Sequence, residues 1–136
     1  MQIIRRIAVR QFLRWSAGAL VGLALSTAAL AVGQPFDQAR FEAAQKANKP
    51  ILVVVHADWC NTCRTQEPIL QSLLKQPKYA GVEVFRVDFD KQKNVLREFR
   101  VQWQSTLIVF KGKQEIERST AVVDPAAIEA QLAMAL

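Results

Sequence analysis

The chain has 136 residues, one domain's worth at about 150 residues per domain. With 51% hydrophobic and 22% charged residues it can fill a core and is not disordered by composition. A formal charge of +6 invites a nucleic-acid partner, but four of the 18 basic residues (Arg5, Arg6, Arg10 and Arg14) stand in a leader without an acid. Beyond residue 31, 14 basic residues face 12 acidic ones, a balance of about +2 that makes no electrostatic case for nucleic acid. Two cysteines, one histidine and five glycines exclude a multi-disulfide scaffold, a His-rich metal protein and a collagen-like repeat.

Residues 1–31 read as an address. The arginines precede the uncharged, small-residue stretch 15–31, and Ala29-Leu30-Ala31 offers the small residues a signal peptidase needs, which puts a cut after Ala31. An uncleaved anchor is the alternative, since the stretch is at the lower limit for spanning a bilayer. Arg5-Arg6 lacks the following Phe-Leu pattern of a twin-arginine signal, so the general secretory route is expected. Both routes place the domain, residues 32–136, outside the cytoplasm, with a periplasmic location expected; there two cysteines can serve as a disulfide. Contact with a membrane is expected only through the leader.

In chain order, Val32-Gly33-Gln34-Pro35 reads as a flexible start. Asp37 caps a helix with Phe41, Ala44 and Ala47 on its apolar face, ending near Asn48-Lys49-Pro50. The unbroken run Ile51–Val55 suits a central strand buried on both faces. A helix opens at Cys60–Asn61, carries Leu70, Leu73 and Leu74, contains Pro68 as a kink and ends at Gln76-Pro77. A strand over 82–89, a short helix over 94–99 and a hairpin of 106–110 with 114–120 around Lys111-Gly112-Lys113 follow. Asp124-Pro125 opens a last helix with Ile128 and Leu132 inside. Strand–helix–strand implies a parallel crossover and the hairpin an antiparallel edge, hence an α/β domain with a mixed sheet.

The chemistry is concentrated in Trp59-Cys60-Asn61-Thr62-Cys63, a Cys-x-x-Cys where a buried strand meets a helix. At the helix N-terminus, unpaired N–H groups and the helix dipole stabilise a Cys60 thiolate; Cys63, one turn in, is within reach and deeper. Such asymmetry makes a relay, with Cys60 attacking a substrate disulfide and Cys63 resolving the mixed disulfide. Two other uses stay open. A zinc site would need borrowed carboxylates, because there is no second cysteine pair and His56 is the only histidine. A structural disulfide closing so small a loop would contribute little.

With Ile51–Val55, Ala57-Asp58-Trp59-Cys60-Asn61-Thr62-Cys63-Arg64, Pro68-Ile69-Leu70, the stretch 84–90 and Ser105–Gly112 in place, the mature chain resembles thioredoxin-like proteins over residues 36–136. The resemblance implies a central mixed sheet flanked by helices on both faces. It makes Cys60 the attacking and Cys63 the resolving thiol of an enzyme of protein-disulfide reductase or oxidoreductase type, with no organic cofactor.

Three departures from the family pattern stand out. Where the family has a cis-proline, this chain has Ser105 after Gln104; a cis bond there would cost about 3–4 kcal/mol. The loop Gln104, Ser105, Thr106 is therefore where substrate binding is altered and metal capture eased. Where the family buries an aspartate below the resolving cysteine, this chain has Val54, leaving water or Asp58 to deprotonate Cys63. Asn61-Thr62 between the cysteines is neither Gly-Pro nor Pro-His; Thr62 and Arg64 are placed to stabilise the Cys60 thiolate. Trp59 reads as a lid, Trp103 as loop packing or a substrate surface, and His56 as a packing residue, a thiolate tuner or a metal ligand. Lys91, Lys93, Arg97 and Arg100 read as a solvated face.

The expectation is an exported monomer exchanging disulfides with protein substrates and a redox partner, with no bound metal. The Ala-Asp-Trp-Cys context leans toward a reductase. The rivals are a copper-binding module on the same cysteines and a non-catalytic binding protein.

Overall fold

The computed structural model describes residues 31–136. The expected leader, with its arginines and the cut after Ala31, lies outside the described residues except for Ala31 itself. Five strands, β1 (Gln34–Pro35), β2 (Pro50–His56), β3 (Glu83–Asp88), β4 (Thr106–Lys111) and β5 (Gln114–Thr120), form one sheet in the order β1-β3-β2-β4-β5. β1, β3 and β2 run parallel, while β4 is antiparallel to both β2 and β5.

The side-chain alternation of β2 divides the core in two. Ile51, Val53 and Val55 join Phe36, Phe85 and Phe110 under α1 (Gln38–Lys46) and α3 (Lys93–Glu98). Leu52 and Val54 join Leu107 and Val109 under α2 (Asn61–Leu74) and α4 (Pro125–Ala133). A strand clothed on both faces has no polar side to show water, which is why Ile51–Val55 reads as a continuous apolar run. On the first face Phe41 meets Phe36, Phe85, Phe99 and Phe110 at centroid distances of 5.3–5.6 Å, mostly edge to face.

Helix ends follow the expected chemistry. Asp37 accepts from the N–H of Arg40 and Asp124 from that of Ala127, and Pro125 takes the first helical turn. Gly112 turns the β4–β5 hairpin at φ 56°, where a Cβ would strike the Asn48 side chain.

Five expectations are corrected. Gln34–Pro35 is a short parallel edge strand, because Gln34 and Pro35 register with Phe85 and Arg86 while Val32 is buried in the second core. Ala47 is exposed, since α1 ends at Lys46 and Asn48 turns left-handed at φ 54°. Gln76-Pro77 starts a 3-10 turn, Pro77–Tyr79, that buries Tyr79. The strand expected over 82–89 is Glu83–Asp88, and the helix expected over 94–99 starts and stops one residue earlier.

Candidate active site at the Cys60–Cys63 disulfide

β2 ends at His56, and two residues of turn bring Trp59 and Cys60 to the start of α2. Cys60 is itself the N-cap of this helix, in extended conformation, and its Sγ accepts the backbone N–H of Cys63 at 3.0 Å. Sulfur thus takes the place usually held by a Ser, Thr, Asp or Asn oxygen. Cys60 and Cys63 form a disulfide with their Cα atoms 5.3 Å apart. In the reduced protein the same N–H and the helix dipole favour negative charge on Cys60.

The neighbours sort differently from expectation. Cys60 and Cys63 are equally buried, each 3% exposed, because the disulfide is tucked among Ala57 and Phe89; Cys60 is not the open member of the pair in this state. The donor at Cys60 Sγ is Cys63's own N–H rather than a group of Thr62. Arg64 bonds through its guanidinium to the Asn61 carboxamide one turn back, so these two flank the N-terminus of α2 together. Trp59 is no lid. It is 57% exposed, stands edge-on to Phe89 at 6.3 Å, and donates its indole N–H to Asp90 at 2.9 Å. Trp103, at 65% exposed, is likewise not packed into its loop.

All described peptide bonds are trans. Ser105 instead takes left-handed backbone at φ 55°. Its N–H donates to Val55 O at 2.9 Å, and its carbonyl accepts Ala121 N–H at 3.1 Å and Gln66 Nε2 at 3.2 Å. Ser105 is therefore turned inward with both backbone groups committed, while Trp103, two residues before it, is exposed. Its Oγ donates to Gln104 O at 2.7 Å; Thr106 Oγ1 donates to Trp103 O at 2.8 Å and lies 2.9 Å from Thr120 Oγ1. Val55 O also lies 3.9 Å from Cys63 Sγ, so one carbonyl touches both the disulfide and the loop opposite it.

Val54 is buried with Leu52, Leu70 and Leu107, an apolar position without a proton acceptor. The acids stand to one side. Asp58, whose side chain is 95% exposed, lies 3.5 Å from His56 Nε2, and Glu67 lies 3.9 Å from Nδ1. Glu67 also meets Arg86 Nη1 at 3.4 Å. His56 titrates below its ordinary 6.5, through burial first and the Arg86 charge second, against the opposing pull of Glu67 and Asp58. The ring is thus a buried, engaged residue whose two nitrogens face acids. Among the described residues no three His, Cys, Asp or Glu side chains are grouped to hold a metal ion.

Two residues were not anticipated. Gln66, 2% exposed, bonds the carbonyls of Ser105 and Val122. Glu67, four residues after Cys63, gathers Arg86, His56 and the N–H of Val32. The sequence signal for Gln66 was a polar residue on the helix face of Cys63, Leu70 and Leu73.

A disulfide capping a helix at the end of a buried central strand, in a β1-β3-β2-β4-β5 mixed sheet, defines a redox-type Cys-x-x-Cys domain. The chain belongs to the thioredoxin family, whose model, described as "Thioredoxin", matches residues 33–134. It is similar to the crystal structure of Trxlp from Edwardsiella tarda EIB202, with 44% identity, a TM-score of 0.71, and coverage of 72% of this chain and 95% of that one. The thioredoxin NaTrxh from Nicotiana alata superposes with a TM-score of 0.63 at 29% identity, over 71% of this chain and 81% of that one. A "Thioredoxin H-type" protein of Fagopyrum esculentum is 34% identical over 79 residues, which are 58% of this chain and 66% of that protein. The chain therefore spans slightly under two thirds of the length of that relative.

Proposed function

We propose that this chain is an exported thiol–disulfide oxidoreductase working as a reductase of protein disulfides. The observation that carries the redox chemistry is the Cys60–Cys63 disulfide at the N-terminus of α2, with the Cys63 N–H on Cys60 Sγ. In the reduced protein the Cys60 thiolate attacks one sulfur of a substrate disulfide. That bond breaks, the other substrate sulfur leaves as a thiolate and takes a proton, and a mixed disulfide remains. Cys63, losing its proton to water, attacks Cys60 Sγ, releases the second substrate thiol and closes the Cys60–Cys63 disulfide. Two electrons have passed to the substrate, and a dithiol partner protein must return them.

The solvent-facing Trp59 and Trp103 support a protein substrate, since exposed indoles offer apolar area for a peptide. Support for export lies in the sequence alone: the arginine-led leader and Ala29-Leu30-Ala31 favour release of a periplasmic domain starting at Val32. No helix among the described residues is long and apolar enough to cross a membrane. The reductase direction rests on the Ala57-Asp58-Trp59-Cys60 context, and a single-chain, monomeric enzyme is the simplest form. The copper-module reading is less favoured, because His56, its third ligand, turns its nitrogens to Glu67 and Asp58.

A redox titration of metal-free residues 32–136 in glutathione buffers, read by tryptophan fluorescence and thiol labelling, tests the proposal. A reversible two-electron couple near the thioredoxin value of about −270 mV is expected. A value near about −120 mV would make it an oxidase, and no reversible couple would overturn the redox reading.

A further inference from the structure

We propose that Glu67 is the seat of the mature N-terminus: cleavage after Ala31 leaves the α-ammonium of Val32 ion-paired with the Glu67 carboxylate, beside the redox site. This rests on the export reading above. In the cleavage the Ala31–Val32 peptide bond is hydrolysed. Water gives its hydroxyl to the Ala31 carbonyl and its hydrogen to the Val32 nitrogen, and the proton shed by the new carboxyl balances the one that converts the amine to ammonium.

Three observations place the seat. Val32 N donates to Glu67 Oε1 at 2.5 Å, a contact made across 35 residues of sequence. The side chain of Val32 is only 5% exposed and packs in the core that holds Leu52, Leu70 and Tyr79. Gly33, at φ 78° with Val84 where a Cβ would go, then turns the chain directly into β1. Residues just past a cleavage site have no need of such fastening; here side chain, nitrogen and following turn are all fixed.

Glu67, the carboxylate that holds this nitrogen, stands among charged and titratable groups from three elements. On α2 stand Glu67 and Arg64; from β2 comes His56, with Asp58 beyond it; from β3 comes Arg86. Arg86 Nη1 approaches Glu67 Oε2 at 3.4 Å and Oε1 at 3.5 Å, and His56 Nδ1 lies 3.9 Å from Oε2. Oε1 is the oxygen shared with Val32. Before cleavage the position holds a neutral amide; after it, the groove gains a positive charge next to His56. Maturation thus sets a positive charge on the Glu67 carboxylate, four residues after Cys63 on the same helix.

The test begins with the intact mass and N-terminal sequence of the full chain expressed and recovered from the cell envelope. A start at Val32 is expected, and any other start overturns the proposal. The oxidised mature protein is then compared with its Nα-acetylated form at pH 7, in wild type and in Glu67→Gln. Acetylation is expected to lower Tm by about 4 °C in wild type and to leave the variant unchanged. An equal loss in both overturns the seat while leaving cleavage and the Cys60–Cys63 couple intact. Should the variant fail to fold, the wild-type pH profile decides. The acetylation effect must fade as pH rises past the α-amino range, ordinarily about 7.7–8.0 and higher when paired. A constant effect across that range overturns the proposal.

Discussion

Gln66 is tied to Ser105: its Nε2 donates to the Ser105 carbonyl at 3.2 Å, and the same nitrogen reaches Val122 O at 2.8 Å. One buried carboxamide on α2 thereby joins the helix that carries the disulfide to the loop facing it and to the strand exit beyond β5. Replacing Gln66 with Leu keeps the volume and strands the Val122 carbonyl, while Ser105 O retains only Ala121 N–H. Val122 is only part-buried, so the scale is set by two lost hydrogen bonds at about 0.5–1.5 kcal/mol each. Gln66→Leu is expected to lower Tm by several degrees and to raise KM for a disulfide peptide more than it lowers kcat, because the loop loosens and the cysteines do not. A variant with unchanged Tm and KM would mean that the carboxamide does not hold the loop.

Ser105 makes a second prediction. At φ 55° it stands where glycine is at ease and a β-branched residue is strained. Ser105→Gly is expected to stay within about 1 kcal/mol of wild type, with relief of the backbone offsetting the lost bond to Gln104 O. Ser105→Val should cost about 1–3 kcal/mol. Ser105→Pro should cost more than about 3 kcal/mol, because proline fixes φ near −65° and removes the N–H given to Val55 O. Denaturant midpoints of the oxidised proteins test this order. Proline as stable as serine would show that the loop re-forms readily in the family's usual conformation.

Much of this architecture was legible because single rules governed it. Ile51–Val55 is apolar throughout since both its faces are covered, and Asp37 and Asp124 mark helix starts since their oxygens have no better donor than the next turn. The pair Cys60 and Cys63 was readable from its place at a strand–helix junction. What escaped depends on partners distant in sequence. Val32 and β1 are ordered by β3 and Glu67, more than 30 residues away, and two residues of strand carry no period. Trp59 looked like a lid because tryptophans are usually covered, yet Asp90 draws its N–H outward. Ser105 could be recognised as an unusual occupant of its position, but its left-handed backbone is fixed by Val55, Ala121 and Gln66 together.

The cysteines divide the reaction in two, and variants should separate the halves. Cys63→Ser keeps the Cys60 thiolate at the helix N-terminus and loses the resolving thiol. Mixed disulfides with substrate proteins are therefore expected to accumulate, visible as reducible adducts on a gel, with turnover down by at least about 10³-fold. Cys60→Ser should form no adducts and show no turnover, because Cys63 lies one turn inside α2 and not at its N-cap, where the helix N–H groups and dipole favour a thiolate. Adducts in Cys60→Ser would reverse the assigned roles.

His56 sets a pH dependence of stability whose sign follows from its surroundings. Burial first, and then the Arg86 charge, hold its pKa below the ordinary 6.5, so the native ring resists a proton that the unfolded chain accepts. Wherever the unfolded state binds more protons, stability rises with pH. On acidification from pH 7.5, stability should therefore begin to fall around 6.5, where the unfolded chain protonates, and level off once the native ring protonates as well. His56→Phe removes this titration, so the wild-type stability measured relative to it should decline between pH 7.5 and 5. Glu67→Gln, which takes away a charge that favours the imidazolium, should depress the native His56 pKa further and extend the decline to lower pH. Urea midpoints of the three proteins at half-unit pH steps, with the disulfide intact, decide the matter; parallel profiles for wild type and His56→Phe would show that the ring does not titrate differently in the two states.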